Sequence, residues 1–197
     1  MAGLDEAAEA LAPTAWQLMA DRTRDLGFDM PSEPRTGSLL RTLAAAKPGG
    51  RLLELGTGTG LATACLLAGM DAEATLVTVD TDLQVQSVAR EALDHDPRVT
   101  FVLGDGLDFI RRQPRASFDL VFADAMPGKY EGLDEALALV RPGGFWIGDD
   151  MLPQANWPEG HPVRVAGLLE AMRGRAGWTV TELAWASGLI VATRRAA

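Results

Sequence analysis

Seven short apolar runs punctuate the chain beyond about residue 50: Leu52–Leu55, Leu76–Val79, Val99–Leu103, Leu120–Ala123, Phe145–Ile147, Trp178–Leu183 and Leu189–Ala192. Helix-length stretches separate the first five, at Leu61–Gly69, Asp82–Leu93, Leu107–Arg112 and Leu133–Val140. Strands alternating with helices predict a parallel sheet covered on both faces, and the first four runs are nearly continuous in apolar residues, as doubly covered strands should be. After a helix over about Val163–Arg173, only about Ala186–Gly188 parts the last two runs. That is too short for a parallel crossover and predicts an antiparallel hairpin. The expectation is an α/β fold: a seven-stranded, mostly parallel sheet with one antiparallel strand in a C-terminal hairpin and helices on both faces.

Ahead of the first strand the pattern predicts helices at Leu4–Leu11, Thr14–Leu26 and about Thr36–Ala46, with Pro31, Pro34 and Gly37 punctuating the segment between them. No repeat, low-complexity tract or linker interrupts the chain. Its 197 residues are therefore read as one domain, with N-terminal helices over 1–47 and the sheet-bearing core over 48–197.

Composition narrows the partners. Lys and Arg number 18 against 27 Asp and Glu, for a net charge of -9, which disfavours loose electrostatic binding to nucleic acid or anionic membrane. A specific nucleic-acid substrate would need a local basic patch, and Arg111, Arg112 and Arg115 form the only dense cluster; it reads as a solvated helix end. Cys65 is the single cysteine, so an intrachain disulfide and a Cys-rich zinc site are excluded. It is expected as a small apolar residue on the buried face of a helix. The acidic, Ala-rich first dozen residues do not resemble a secretory signal, and no apolar run approaches the roughly 20 residues that span a bilayer. The reading is a cytoplasmic protein with no membrane partner.

The candidate chemistry starts at Leu52-Leu53-Glu54-Leu55-Gly56-Thr57-Gly58-Thr59-Gly60, a Gly-rich turn set between a strand and a helix. Glycine there admits unusual backbone angles and lets a ligand approach closely, while the following helix offers free backbone N–H groups. A dinucleotide fingerprint would have glycine where Leu61 stands, and a phosphate loop would have Lys-Ser or Lys-Thr after its glycines. Neither is met, so a nicotinamide oxidoreductase is the least favoured reading. Asp80, followed by Thr81, ends the second apolar run, where its carboxylate would accept hydrogen bonds from both hydroxyls of a ribose; Asp82 is better suited to capping the next helix. In Gly104-Asp105-Gly106, after the third run, the Asp is placed to meet an adenine amino group. All three elements fall at the carboxyl ends of strands, where such sheets bind ligands.

The segments "LLELGTGTG", "VTVD", "LGDG", "FDLVFADA" and "VRPGGFWIGDD" resemble, in order, the motifs of class I S-adenosylmethionine-dependent methyltransferases, whose fold is Rossmann-like. More narrowly, the layout from about Met30 to the end is similar to the small O-methyltransferases related to catechol and caffeoyl-CoA O-methyltransferases. The resemblance implies that Glu54 and the turn Gly56, Thr57, Gly58 and Gly60 hold the methionine end of the cofactor. It implies Asp80 and Thr81 at the ribose, Asp105 and Gly106 at the adenine, and Met30 and Asp124 lining the active site. The implied acceptor is a small hydroxylated molecule, aromatic ones included, and a homodimer through the N-terminal helices is a further expectation.

In that family a divalent metal lowers the pKa of the acceptor oxygens, held by an Asp after the fourth strand and an Asp-Asn pair after the fifth. The matching positions are Asp124, Asp149 and Asp150, hard oxygen donors suited to Mg²⁺, Ca²⁺ or Mn²⁺. Two departures stand out. Asp150 replaces the usual Asn, and Pro127 occupies the place, three residues after Asp124, where the family has the Lys that serves as general base. Lys129 lies two residues further on, after a Pro-Gly pair that can turn the loop, and His161 lies in a loop after the fifth strand; these are the two candidate proton acceptors. Trp157 is a candidate wall for a planar acceptor. Alternatives left open are a methyltransferase of a modified tRNA base or an amine, and a cofactor-binding module without catalysis.

Overall fold

Leu52 and Leu53 are neighbours in the chain, point to opposite faces of their strand, and are both fully buried. That is the mark of a strand covered on both sides, and the sheet around it follows from the same pattern. The structure, a computed structural model, describes residues 12–196; the helix expected at Leu4–Leu11 lies outside them. Two helices, α1 (Thr14–Leu26) and α2 (Pro34–Ala45), precede β1 (Arg51–Leu55). Then come α3 (Leu61–Gly69), β2 (Thr75–Asp80), α4 (Leu83–Leu93), β3 (Val99–Leu103), α5 (Gly106–Arg112), β4 (Phe118–Ala123) and α6 (Leu133–Leu139). The chain continues through β5 (Val140–Gly148), α7 (His161–Met172), β6 (Trp178–Leu183) and β7 (Leu189–Arg194).

The strands form one sheet in the order β3-β2-β1-β4-β5-β7-β6. Every pairing from β3 to β5 is parallel, and β7 runs antiparallel to both β5 and β6. The expected α/β fold with one reversed strand is therefore present. On one face Leu53, Leu55, Val121, Ala123 and Trp146 pack against Ile110 of α5, Ala136 and Leu139 of α6, and Val165 and Leu168 of α7. On the other, Leu52, Leu76, Leu120, Phe122 and Ile147 meet Met19 of α1, Leu40 of α2 and Leu61 and Leu66 of α3. Cys65 is buried and unpaired, as expected, and faces Gly37 so closely that a Cβ there would lie 2.5 Å from its Sγ. No helix among the described residues is long and apolar enough to cross a membrane.

Boundaries differ where prolines and an irregular register intervene. Helix α2 starts at Pro34, two residues before the expected Thr36, because proline is well suited to the first helical position. Likewise α7 begins at His161 with Pro162 in its first turn, which draws His161 out of the loop in which it was expected. Strand β5 reaches back to Val140, the residue assigned to the preceding helix. Val140 pairs with Phe118 before the register shifts and Phe145 takes Leu120 as partner, so the Arg-Pro-Gly-Gly stretch inside β5 bulges instead of breaking it.

Candidate active site

Strand order reverses between β1 and β4, because β2 and β3 lie to one side of β1 while β4 and β5 lie to the other. The carboxyl ends of strands flanking such a reversal open a crevice, and here they line a cavity of about 440 Å³. Gly56, Thr57 and Gly58 form one wall, Asp80, Thr81 and Asp82 a second, and Asp124 to Pro127 with Lys129 and Tyr130 a third. Phe28 and Met30 reach over it from the segment between α1 and α2, and Asp150 and His161 close the far end. A smaller cavity of about 260 Å³ adjoins, sharing Asp124, Asp150 and His161 and adding Asp149, Trp157 and Ser187.

The turn after β1 is shaped by two requirements. Gly56 has φ +97°, and a Cβ on it would lie 2.6 Å from the carbonyl oxygen of Asp124, so only glycine lets the loops after β1 and β4 come together. Its N–H donates to the Val79 carbonyl, 2.9 Å away. Asp80 then stitches the turn to β2: its Oδ2 accepts from Gly58 N–H at 2.8 Å and its Oδ1 from Asp82 N–H at 2.9 Å. Asp82 caps α4 through Gln84 and Val85 N–H, as expected. An ionised carboxylate offers about four lone-pair sites, so Asp80 keeps room for two more donors on its cavity side.

Glu54 does not reach the cavity. It is fully buried beneath the turn, where Oε2 accepts from Thr63 Oγ1 at 2.5 Å and Thr78 Oγ1 at 2.6 Å. Its Oε1 is buried without a protein partner. Burial is the main reason its pKa rises from the ordinary 4.5 to about 7, against the lowering pull of the two threonines. Gly60 serves packing instead: with φ +90°, it allows α3 to lie where a Cβ would meet that of Ala89 at 2.5 Å. Asp105 likewise points elsewhere, capping α5 through Asp108 N–H at 2.8 Å, while its neighbours Gly104 and Gly106 line the cavity. Thr57 lines the wall but spends its hydroxyl on Thr78 and Gln86.

The loop after β4 brings in the cation. Tyr130 and Glu131 N–H groups both donate to the Met126 carbonyl, and Gly128, at φ +82°, turns its carbonyl toward Trp146 Nε1 at 3.2 Å. This tight turn swings Lys129 inward, to 3 % exposure. Its Nζ donates to the Asp149 carbonyl at 2.9 Å and lies 3.9 Å from Asp150 Oδ2. The Pro-Gly pair thus turns the loop as its chemistry allowed. Around the ammonium, Asp124 accepts from Ser32 Oγ at 3.0 Å, and Asp149 accepts from Ser187 Oγ and from Asp150 N–H. Burial first, and then the charge of Asp149, raises the Asp124 pKa well above the carboxylate range, with Lys129 opposing. Burial and then Asp150 raise that of Asp149.

The acidic trio does not fit a divalent cation as it stands. Asp149 has committed its carboxylate to a serine hydroxyl and a backbone N–H, and a buried ammonium group holds the space beside Asp150. Among the described residues no three His, Cys, Asp or Glu side chains converge into a cation cluster. His161 is brought into the site: its Nε2 lies 3.2 Å from Tyr130 Oη, and its ring is packed by Trp157 at 4.6 Å between centroids. Burial, followed by the charge of Lys129, lowers its pKa, which favours the neutral ring. The arginine cluster is not part of the cavity. Arg111 and Arg112 lie 3.7 and 3.6 Å from Glu135 and Asp108, and Arg115 lines a separate groove with Arg175 and Arg194.

Sequence reasoning missed Phe28, Ser32, Tyr130 and Ser187 at this site. Ser32, beside the resemblance-implied Met30, had a local cue; Ser187 had none, because the hairpin turn is far away in the chain.

Residues 53–151, half of the chain, match the family described as a methyltransferase domain. The chain belongs to that family. A protein of Mycobacteroides abscessus that bears the provisional name O-methyltransferase is 31% identical to this methyltransferase over 189 residues, covering 88% of this chain and 85% of that protein. A crystal structure of a Corynebacterium glutamicum protein superposes with a TM-score of 0.80 at 27% identity, covering 98% of this chain and 96% of that one. The O-methyltransferase TomG of Streptomyces achromogenes, solved in complex with SAM, gives 0.82 at 24% identity, with 97% and 95% covered. At that identity the likeness speaks for the shared fold.

Proposed function

We propose that this methyltransferase moves the methyl group of S-adenosylmethionine onto an oxygen of a small hydroxylated acceptor. The observation that carries the reading is the cavity at the sheet's reversal, with a glycine turn and Asp80 at one end and Lys129, Asp124 and His161 at the other. Its volume falls in the range of small-molecule sites. The name borne by the M. abscessus relative across most of its length, and the SAM held by TomG, support the same activity.

In this reading Asp80 and Thr81 take the ribose, Gly104 and Gly106 border the adenine, and the Gly56–Gly58 turn faces the methionine end. Met30 and Asp124, which line the same cavity, would border the end that carries the methyl group. Methyl transfer from a sulfonium is a direct displacement: the acceptor oxygen attacks from the side opposite sulfur, the carbon–sulfur bond breaks, and the acceptor proton must leave. In its neutral form His161 is suited to take that proton, and Tyr130 Oη at 3.2 Å holds its ring in place. Trp157, packed on His161, supplies an apolar wall for the acceptor.

The test is a calorimetric titration with S-adenosylhomocysteine, followed by transfer of tritiated methyl from S-adenosylmethionine to a panel of phenols, catechols, amines and tRNA. Saturable binding and label in a hydroxylated acceptor are expected. Absence of binding at millimolar ligand overturns the cofactor assignment, and label confined to amines or tRNA overturns the oxygen acceptor.

A further inference from the structure

A lysine ammonium this deeply buried needs anionic or polar company, since an unpaired charge is costly away from water. Lys129 finds it where the loops after β4 and β5 face each other: the Asp149 carbonyl at 2.9 Å and Asp150 Oδ2 at 3.9 Å. Lys129 and Asp124 both line the larger cavity. The ammonium has three donors; the Asp149 carbonyl takes one, and the cavity lies open to the others. Two features fix this placement. Trp146, fully buried, holds the Gly128 carbonyl at 3.2 Å, so the loop cannot swing Lys129 outward without breaking a core contact. Asp150 adopts φ +66° and donates its N–H to Asp149 Oδ1 at 2.7 Å, which turns the Asp149 carbonyl toward Lys129 and its carboxylate toward Ser187.

We infer that the Lys129 ammonium occupies the place a divalent cation would need between Asp124 and Asp150, and meets the negative charge of the acceptor oxygen in its stead. The two cations exclude each other: both require the same carboxylates, and like charges a few ångströms apart in a partly buried site repel strongly. Removing the ammonium leaves Asp124 and Asp150 with no counter-charge, a latent site for a hard cation. That the oxygen belongs to a methyl acceptor rests on the function proposed above; the exclusion of metal by Lys129 does not.

The experiment is a Mn²⁺ titration followed by electron paramagnetic resonance, with the parent protein, Asp124→Ala, Lys129→Met, and Lys129→Met combined with Asp124→Ala, each with and without S-adenosylhomocysteine. The expected result is free Mn²⁺ with the parent protein, one Mn²⁺ bound per chain of Lys129→Met, and loss of that site in the double variant. One Mn²⁺ bound by the parent and lost in Asp124→Ala overturns the inference. So does a cooperatively melting Lys129→Met that binds none. If Lys129→Met does not fold, Lys129→Gln replaces it, and the parent arm decides independently. Affinity for S-adenosylhomocysteine, read on the same samples, tests the cofactor assignment separately, because the metal arms are also read without it.

Discussion

Asp80→Ala separates a ligand contact from a structural one, because the carboxylate has both. Two of its lone-pair sites are used inside the protein, by Gly58 N–H at 2.8 Å and Asp82 N–H at 2.9 Å, and two remain for ribose hydroxyls. A hydrogen bond to a charged acceptor contributes roughly 1.5–3 kcal/mol. Loss of the two ribose contacts therefore weakens S-adenosylhomocysteine binding by about 3–6 kcal/mol, or roughly 10²- to 10⁴-fold at about 1.4 kcal/mol per tenfold. The internal bonds add a stability cost of about 1–3 kcal/mol, since Gly58 and Asp82 are near enough to the surface for water to replace part of what is lost. The assay is calorimetric titration of parent and variant, with urea unfolding of both cofactor-free proteins to isolate the structural part. Asp80→Asn is the control: it keeps one acceptor oxygen and should lose less affinity than Ala. An Asp80→Ala affinity within a few fold of the parent, in a folded protein, refutes the ribose assignment and leaves Asp80 as a brace for the turn.

Glu54→Gln tests the buried carboxyl. Its pKa of about 7 lies above the ordinary 4.5, so the folded chain holds a proton that the unfolded chain releases. That contribution is complete below the unfolded value and is lost as pH rises through 7, about 3 kcal/mol in all; urea unfolding of the parent should show this decline and the Gln variant should not, and identical profiles refute it. Gly60→Ala should destabilise by roughly 2–5 kcal/mol, from the strained φ and the overlap with Ala89, read as a lower melting temperature; a parental melt refutes the packing role. His161→Gln should lower kcat by roughly 10²–10⁴-fold with unchanged S-adenosylhomocysteine affinity. In the parent, kcat/KM should fall as pH drops below the lowered His161 pKa, and a variant retaining that limb excludes His161 as proton acceptor.

The fold was legible because its signals are local. Doubly covered strands announce themselves as continuous apolar runs, and the spacing of the last two runs forbids a crossover, so the antiparallel hairpin could be read from the sequence. The helix boundaries that moved did so at Pro34, Pro162 and the bulged Arg141–Gly144 stretch, where local preference and sheet pairing compete. The glycine turn, Asp80 and Asp124 were legible at the site for a related reason: each ends a strand or directly follows one, so topology alone delivers it to the same edge.

The roles within that turn were not legible, because they depend on which way a side chain faces. Glu54 lies within β1 and must face into the sheet or its cover, and the neighbouring threonines Thr63 and Thr78 draw it below the turn. Asp105 stands one residue before α5, where the unpaired N–H of Asp108 competes for its carboxylate. The loop after β4 shows the same limit more sharply. Pro127 removes the lysine from its expected place, yet the proline and Gly128 also build the turn that returns Lys129 to the carboxylates. Moving a lysine two positions along a loop can thus exchange the chemistry of a site: a cation still stands beside Asp150, but it is covalently part of the chain. Such an ammonium cannot dissociate and supplies a single positive charge where a divalent ion supplies two. Acceptors that are already acidic are the ones this site can serve best, and an acceptor panel ranked by phenol pKa should show turnover rising steeply as that pKa falls; a flat ranking would mean that Lys129 does not meet the acceptor oxygen.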